Sequence, residues 1–547
     1  MVNVWLRWGL SIIVSGWLWS MGAAAHAATQ QATDVLTLDQ LETQIANPIQ
    51  RDGKPTINLR QVTLDLSPEN EEFRDRFYRR LQTVLQSGEK AVSLDLSHAV
   101  IQGEFDLQRL SLREPLYGEA FFPLLTESEQ LQLKRDRKRL SQLSQLSRSL
   151  LLQPPPTALR IFLFRGGLNL SQTRFEGPVT GSGIFFLGAV DAQGSQFLQS
   201  VNFSESRFSQ PTTVIASEFQ QTVRFRNCIF FQRLRLRQSA FQGSLTFQGS
   251  EFYKTASFGQ THFTQETQYS RTTFHQNADF GQTHWQGTGS FLRSTFAGDL
   301  FLTEARFEAP MNFRQSRLSQ SANLRGATIQ NQLDFGDATF APKTILNVAG
   351  LDFNADQAEL LGSPGQIGRV LSVPSLEGNE TLLRNLVRNF RKLEQVADAN
   401  RLEYTTERLR LQFLQRQLTA VNLNTAPQAR LMGLGFSASQ AEAVDTQRQK
   451  TPFIQAADVL DLEGIDLATY VKVRDRIIAQ PPLSWLARSQ HLVQYGVLSL
   501  LLLTSQYGTS TGLTLGVGIL AVSLSSLLFW AVDRYRRTAP TSIVPPW

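Results

Sequence analysis

Cysteine and charged residues are scarce in this chain of 547 residues, and both shortages narrow what it can be. Its one cysteine, Cys228, excludes an internal disulfide, and its position two before Phe230 predicts a packing role. Charged residues make up 18% of the chain and the net charge is +6. That excess is small and diffuse, so it gives little support for a nucleic-acid partner. The length itself predicts several domains.

Motifs of catalysis are missing as well. The chain has no phosphate-binding loop, no nucleophile elbow and no paired His-Glu motif. Among six histidines, His262 and His284 form one suggestive pair. Two imidazoles without a cluster of thiolates or carboxylates make a poor metal site, so we expect surface histidines. We predict no enzyme, no cofactor, no metal and no small-molecule substrate.

Charge is absent between Arg488 and Asp533. Such a run is long enough for membrane helices, and we predict a transmembrane hairpin at 490–532 followed by a basic tail at 533–547. A single span at 512–532 is the alternative. The single span agrees better with the positive-inside tendency, because it leaves the arginines of the tail on the cytoplasmic side.

The segment 1–27 has the pattern of a secretory signal peptide. Arg7 precedes an apolar run, and Ala25-His-Ala27 is typical of a cleavage site. An uncleaved anchor is the alternative. The signal-like segment precedes the rest of the chain, and no long apolar run interrupts the segment 28–490. We therefore expect the repeat domain to be extracytoplasmic, in the periplasm or lumen, on a protein of the inner or thylakoid membrane.

The strongest positive signal is a large apolar residue at every eleventh position. These positions are Phe164, Phe175, Phe186, Phe197, Phe208, Phe219, Phe230, Phe241, Phe252, Phe263, Phe274, Trp285, Phe296, Phe307, Leu318, Ile329 and Phe340. A second register follows six residues behind, so the steps alternate between five and six. Helical supercoils need steps of three and four, which excludes a helix. The pattern predicts a solenoid of short strands whose repeats stack on their neighbours.

The residues around this register resemble the pentapeptide-repeat family. Asn202-Phe203 and Asp279-Phe280 place a short polar residue before the ring, and Ala278 lies two before it. The resemblance implies a mainly β protein with a right-handed quadrilateral β-helix at residues 153–355. Here the unit is an eleven-residue double repeat. Two units make a coil of about 22 residues, because Phe258-Gly-Gln-Thr-His recurs at Phe280.

The regions flanking the repeats have their own patterns. Residues 28–152 form a predicted N-terminal capping region with strands, a helix at 68–85 and an inserted amphipathic helix near 126–152. The basic cluster in this inserted helix, 134–139, either contacts anionic lipid or forms a solvated helix face.

Residues 379–419 resemble the helical connector of membrane-bound pentapeptide-repeat proteins, through Asn389-Phe-Arg-Lys among other residues. The overall build resembles proteins common in cyanobacteria. The Tyr507-Gly508 turn is similar to that group, and it also resembles part of a potassium-channel filter.

Residues 420–480 resemble a tandem helix-hairpin-helix module of competence-type DNA receptors. The hairpins would be Gly433-Leu434-Gly435 and Gly464-Ile465-Asp466. The resemblance implies that their backbone N–H groups contact DNA phosphates. Asp466 replaces the family's second glycine, and its negative charge would oppose phosphate. The same fold serves as a protein-docking unit in the lumenal extrinsic subunit of photosystem II, and we favour docking.

The sequence therefore predicts a non-enzymatic, membrane-anchored scaffold that displays a β-helix for protein–protein interaction. It does not identify the protein partner. The first alternative is an extracellular DNA-binding receptor that uses the helix-hairpin-helix module, which makes nucleic acid a less favoured partner. The second is a membrane channel component.

Overall fold

A computed structural model describes residues 34–51, 53–86, 91–115, 127, 130–131, 160–479, 485–504 and 511–536. The predicted signal peptide, most of the inserted helix, the turn with Tyr507-Gly508 and most of the basic tail lie outside these residues. The chain divides into two compact units. The first comprises Met1–Asn323 and Asp337–Thr344, and the second Leu324–Gly336 and Ile345–Trp547.

The first unit is a β-solenoid with four faces, numbered here in the order in which the chain passes through them within one regular coil. Strands of the first face are Thr63–Asp65, Val100–Gln102, Arg174–Phe175, Gln196–Phe197, Glu218–Phe219, Ala240–Phe241, His262–Phe263, His284–Trp285 and Arg306–Phe307. Those of the second are Phe105–Asp106, Val179–Thr180, Val201–Asn202, Val223–Arg224, Leu245–Thr246, Thr267–Gln268, Gly289–Ser290 and Met311–Asn312.

The other two faces are built in the same way. Strands of the third face are Leu112–Pro115, Arg160–Phe164, Ile184–Phe186, Arg207–Phe208, Ile229–Phe230, Glu251–Phe252, Thr273–Phe274, Thr295–Phe296, Arg317–Leu318 and Thr339–Phe340. Those of the fourth are Ile49–Arg51, Lys54–Asn58, Ser93–Asp95, Leu168–Asn169, Val190–Asp191, Thr212–Thr213, Leu234–Arg235, Ala256–Ser257, Ala278–Asp279, Leu300–Phe301 and Ala322–Asn323.

Strand pairing confirms the predicted length of one coil, which is two eleven-residue units. Phe175 pairs with Phe197 and Phe197 with Phe219, in parallel register. Most strands are very short because the chain turns a corner after every five or six residues. Every second corner has a residue with positive φ, such as Gln238 (59°) and Gln260 (59°). A left-handed residue at these corners turns the chain from one face to the next. Its unfavourable backbone conformation is offset by the hydrogen bonds between neighbouring coils.

The predicted apolar residues fill the interior. Phe241, Phe252, Phe263 and Phe274 are at most 1% exposed. They lie in two columns, with ring centroids 5.8 Å apart for Phe241 and Phe263 and 4.9 Å for Phe252 and Phe274. Phe340 is only half-buried. Stacking identical rings buries a large apolar area with one geometry repeated in every coil, which stabilises the stack.

Small residues two positions before the ring complete the corners. The hydroxyl groups of Ser217 and Ser239 donate to carbonyl oxygens of the preceding coil, at 2.7 and 2.6 Å. Cys228 occupies the same position, and its Sγ lies 3.0 Å from the carbonyl oxygen of Phe203. Complete burial raises the pKa of the Cys228 thiol to about 12. This thiol is therefore a packing group rather than a nucleophile.

Helices cover the N-terminal part of the first unit. Helix α1 spans Leu38–Ala46, and α2 spans Glu71–Gln86 after a 3₁₀ turn at Pro68–Asn70. The Tyr78 hydroxyl of α2 accepts a hydrogen bond from the backbone N–H of Asp106 at 2.8 Å. Such contacts satisfy backbone groups of the early coils that would otherwise form an open edge.

The second unit begins with the last strands of the solenoid, where the coil becomes longer than the regular 22 residues. Thr328–Ile329 pairs with Asp352–Phe353, and Gln332–Phe335 pairs with Glu359–Gly362. Leu346–Asn347 pairs with Leu371–Ser372. Helices α3 (Ile367–Val370), α4 (Glu380–Lys392) and α5 (Val396–Thr419) follow.

Helix α4 caps the last coil with asparagine side chains. Leu360 donates its backbone N–H to Asn389 Oδ1 at 3.2 Å, and its carbonyl oxygen accepts from Asn389 Nδ2 at 2.8 Å. Asn385 Nδ2 donates to the carbonyl oxygen of Phe353 at 2.8 Å. The amides thus replace the missing next strand, which protects the edge against pairing with other chains.

The segment 379–419, which the sequence predicts to be a helical connector, consists of two helices. The chain breaks between α4 and α5, where Glu394 has φ of 59°. The N–H of Gln395 donates to the carbonyl oxygen of Phe390 at 2.8 Å and so closes the turn. No proline or glycine marks this break, so the sequence pattern did not reveal it.

The remaining elements are helical apart from one strand pair. They are α6 (Gln428–Leu434), α7 (Ala438–Lys450), a 3₁₀ turn at Ala456–Asp461, α8 (Leu467–Val473), a 3₁₀ turn at Arg474–Arg476, α9 (Trp485–Thr504) and α10 (Thr511–Arg536). Strands Val421–Asn422 and Ile477–Ile478 pair in parallel and join the two ends of the α6–α8 region. We call residues 421–479 the helical module.

Candidate functional site

The solenoid interior offers no site in the described coils, because its apolar columns fill it. Trp285, Tyr269 and Phe280 are fully buried there and contact one another ring to ring. Function on the solenoid must therefore lie on its outer faces, where side chains at alternate strand positions point to solvent.

The histidine pair lies on the first face. The ring centroids of His262 and His284 are 5.6 Å apart. His284 Nε2 lies 2.9 Å from Glu308 Oε1, and Arg306 Nε donates to the same oxygen at 2.9 Å. The hydrogen bond from His284 lowers the pKa of the Glu308 carboxyl, and partial burial lowers the pKa of His262. The sequence had not indicated that Glu308 joins this pair.

No group of three or more potential metal ligands occurs within the described residues. Arg306 also competes with a cation for Glu308, because its guanidinium already neutralises that carboxylate. The two histidines thus lie on a polar surface in which Arg306 holds Glu308.

The first predicted hairpin, Gly433-Leu434-Gly435, connects α6 to α7. Gly433 and Leu434 end α6, and Gly435 has φ of 122°, a value that side chains disfavour. Helix α7 then begins with a capping box, in which Ser437 Oγ accepts from the backbone N–H of Gln440 at 3.2 Å. Two helices joined by a short turn thus flank this pair of glycines.

A positive charge lies beside this hairpin. A Cβ atom placed on Gly435 would be 3.2 Å from Lys472 Cε and 3.3 Å from Lys472 Nζ. The lysine comes from α8, so the glycine leaves space for an ammonium group next to the turn. Sequence reasoning missed this contact, since Gly435 and Lys472 are far apart in the chain.

The second predicted hairpin, Gly464-Ile465-Asp466, precedes α8. Gly464 has φ of 90°, Ile465 is buried, and Asp466 is the N-cap of α8. The Asp466 carboxylate accepts from the backbone N–H of Thr469 at 3.0 Å. Hydrogen bonds from Thr469 hold the pKa of the Asp466 carboxyl below its usual value. The helix terminus that would face a phosphate therefore has its own anion.

The two hairpins lie close together. Gln440 Nε2 of α7 donates to the carbonyl oxygen of Gly464 at 2.8 Å. One surface of the module thus has a lysine at the first turn and an aspartate at the second. Residues 419–480 contain six lysines and arginines and seven acidic residues, so the segment has a net charge of −1.

The two C-terminal helices differ in their surroundings. Among the described residues, one helical segment, Leu515–Tyr535 in α10, is long and apolar enough to cross a bilayer. Its mean hydropathy is 2.1 and none of it is buried. Helix α9 fails this test and packs against α5, with Leu498 buried. The predicted hairpin thus has one segment of the right length and composition, not two.

A groove runs along the contact of α9 with α4 and α5. Its walls are apolar, from Leu376, Phe413 and Leu498, and its rim has the ion pair of Glu407 and Arg410, both from α5.

Comparisons with known proteins address the repeats alone. No curated protein and no solved structure matches the chain. Residues 192–239 match the family model of pentapeptide repeats, described as nine copies. The matched segment lies inside the four-faced solenoid and shares its eleven-residue period. The chain therefore contains pentapeptide repeats, and these repeats form a β-solenoid.

Proposed function

We propose that this protein is a non-enzymatic scaffold, anchored in a membrane, that displays its β-solenoid for protein–protein interaction. The observation that carries the proposal is the division of roles within the coils. Apolar rings occupy the inward positions, and the backbone groups form hydrogen bonds between neighbouring coils. Only the outward side chains therefore remain free to vary. A solenoid of this kind presents extended faces to a partner.

The anchor would be the single span in α10. Leu515–Tyr535 is exposed along its length, which in water would leave a large apolar surface without a partner. A bilayer removes this cost. Helix α9 would then stay with α5 outside the hydrocarbon region. The predicted hairpin loses support, and its single-span alternative gains it, because α9 contacts α5.

We further propose that the solenoid is extracytoplasmic, on an inner or thylakoid membrane. The signal-like segment 1–27 supports this orientation. With one span, the arginines at the C-terminal end of α10 and directly after it would be cytoplasmic. A reporter that is active only in the cytoplasm should be silent when fused after Gln480 and active when fused after Trp547. Activity at Gln480 would refute the orientation, and silence at Trp547 would restore the hairpin.

The helical module is, in this proposal, a helix-hairpin-helix unit used for protein docking. Its two turns, the capped helices and the Gln440 bridge support the assignment. The second candidate function is a DNA receptor, and Lys472 beside Gly435 favours it. Asp466 and the net charge of −1 oppose it, because DNA binding of this kind depends on neutralising phosphates.

Salt-dependent DNA binding separates the two functions. Non-specific binders reach a Kd of ~10⁻⁴ to 10⁻⁶ M at physiological salt, with a logarithmic salt slope of about −0.9 per phosphate contacted. We expect the detergent-solubilised chain to bind duplex DNA no better than a Lys472→Gln variant at about 0.15 M salt. Micromolar binding that falls with salt and is lost in Lys472→Gln would favour the receptor.

A further inference from the structure

Positive charge is concentrated in one coil of the solenoid. Between Glu218 and Glu251 the chain has no acidic residue and five arginines, which are Arg224, Arg226, Arg233, Arg235 and Arg237. The first two belong to the second face and the last three to the fourth face. Arg233, Arg235 and Arg237 thus lie within one short stretch of one face, and we call these three the arginine row.

The backbone fixes the geometry of the arginine row. Leu234 and Leu236 point inward and are at most 1% exposed, so the three arginines point outward, and all three are exposed. Arg233 directly precedes the strand Leu234–Arg235, and Arg237 begins the turn that follows it. Side chains two residues apart on one side of an extended chain are separated by roughly 6.6 Å, which gives the spacing of Arg233 and Arg235. A shallow depression beside the row is also lined by Thr255 and Ser257 of the next coil.

Some arginines of the solenoid have acidic partners. Arg174 pairs with Glu176 at 3.2 Å and Arg306 with Glu308 at 2.9 Å. None of the three row arginines has an ion pair with any residue in the described ranges. Three neighbouring like charges repel one another, so the row costs stability unless an anion is present.

The coil itself does not require arginine at these positions. The equivalent residues of the next coil are Thr255, Ser257 and Gly259, and Thr213 occupies the middle position in the preceding coil. These coils have the same strand pairing with neutral side chains. The arginines are therefore explained better by a ligand than by folding.

We propose that the arginine row binds an extended acidic segment of a partner protein, with carboxylates at alternate positions. This inference rests on the proposed scaffold function and names the chemistry of the partner. Side chains of an extended peptide repeat at the same spacing as the arginines, so each carboxylate meets one guanidinium. The hydroxyl group of Thr255 can donate to a remaining oxygen, whereas that of Ser257 already donates to Asp279 Oδ2 at 3.0 Å.

Recognition would use side chains alone. The backbone of the arginine row is already paired with both neighbouring coils: Thr212 donates to the carbonyl oxygen of Arg233, and Leu236 donates to that of Ser257. A partner strand therefore cannot add to the sheet here. Duplex DNA fits less well than a peptide, because the row is one strand wide and tight DNA binding needs several phosphate contacts.

The test measures binding of a fluorescent peptide, with glutamate and serine alternating, to the full chain in detergent. The test variant is Arg233→Gln/Arg235→Gln/Arg237→Gln. The control, Arg224→Gln/Arg226→Gln/Arg271→Gln, removes the same charge from the second face and its corner. Glutamine occupies outward and corner positions in other coils, so both variants should keep the fold. We expect the test variant to bind at least about tenfold more weakly and the control to change less than about twofold.

Three results would overturn the proposal. They are no binding by the natural chain, an equal response of the two variants, and equal binding of a peptide with its glutamates in one block. Stronger competition by duplex DNA than by the peptide would assign the arginine row to nucleic acid instead. If the chain stays in the membrane but gives any of these results, the acidic partner is refuted and the scaffold function still stands. Release from the membrane would instead refute the scaffold proposal.

Discussion

The solenoid and the helical module solve the same packing problem in opposite ways. In the solenoid, each ring packs on the equivalent ring of the next coil, so one local rule builds the whole core. In the module, the core brings together residues from Val421 to Ala479, and the pairing of the two end strands holds it closed. The solenoid keeps its fold while its faces vary, whereas the module depends on a few turns.

Removal of a core ring should cause the largest loss of stability. Phe252→Ala removes a buried ring that stacks on Phe230 and Phe274. We expect it to lower the free energy of unfolding by about 3–5 kcal/mol, as measured by denaturant titration. Gln242→Ala, at an exposed position of the same solenoid, should change it by less than about 0.5 kcal/mol. Similar effects of the two variants would show that the stack does not carry stability.

Removal of the cap on the last coil should cause the second-largest loss of stability. Asn389→Ala leaves the N–H and carbonyl groups of Leu360 without partners, which we expect to cost about 2–4 kcal/mol. Hydrogen exchange should quicken at residues 352–362. The neighbouring change Arg388→Ala removes only an exposed ion pair with Asp356 and should cost at most about 1 kcal/mol. Unchanged exchange in Asn389→Ala would refute the capping role.

Replacement of the two glycines of the first hairpin should change the free energy of unfolding in opposite directions. Gly435→Ala forces a side chain into a left-handed conformation and against Lys472, so we expect a loss of about 1–2 kcal/mol. Gly433→Ala lies in helix α6 with open space around it and should stabilise the module by up to about 1 kcal/mol. Thermal unfolding of the two variants checks the difference, and a shift of equal sign would contradict the turn geometry.

The smallest effect concerns pH. Burial and the charge of His284 lower the pKa of His262, so the folded state binds a proton less readily than the unfolded state. The stability from neutral His262 is complete above a pH of about 6.5 and is lost as the pH falls through the lowered pKa. We expect the urea midpoint to fall less between pH 7.5 and 5.5 in His262→Gln than in the natural chain. An unchanged pH response would contradict this assignment.

The two regions also differ in how far the sequence could predict them. A period of eleven with an apolar residue at each step predicted the length of the coil, because each residue there repeats one local environment. The longer coils after Thr328 departed from that period, since their strands meet helix α4 and its asparagines. Glu394 ended a helix without a breaker residue in the pattern.

In the module, the contact of Lys472 with Gly435 was not predictable. It joins two helices through tertiary packing, and no periodicity encodes it. Glycines and the acidic residue at 466 did predict where the turns lie. The sequence could not reveal which side chains from distant helices would surround these turns. The packing of α9 on α5 was unpredictable for the same reason, because it too is a tertiary contact between separate helices.

We propose that one C-terminal helix holds the scaffold in a membrane. Extraction of isolated membranes with alkaline carbonate, applied to the full chain and to Leu520→Arg/Leu524→Arg, tests this anchor. Arginine in the centre of a span costs about 2.5–3.5 kcal/mol, so we expect the natural chain to stay in the membrane pellet and the variant to be released. Release of the natural chain, or equal retention of both chains, would show that this helix is not the anchor.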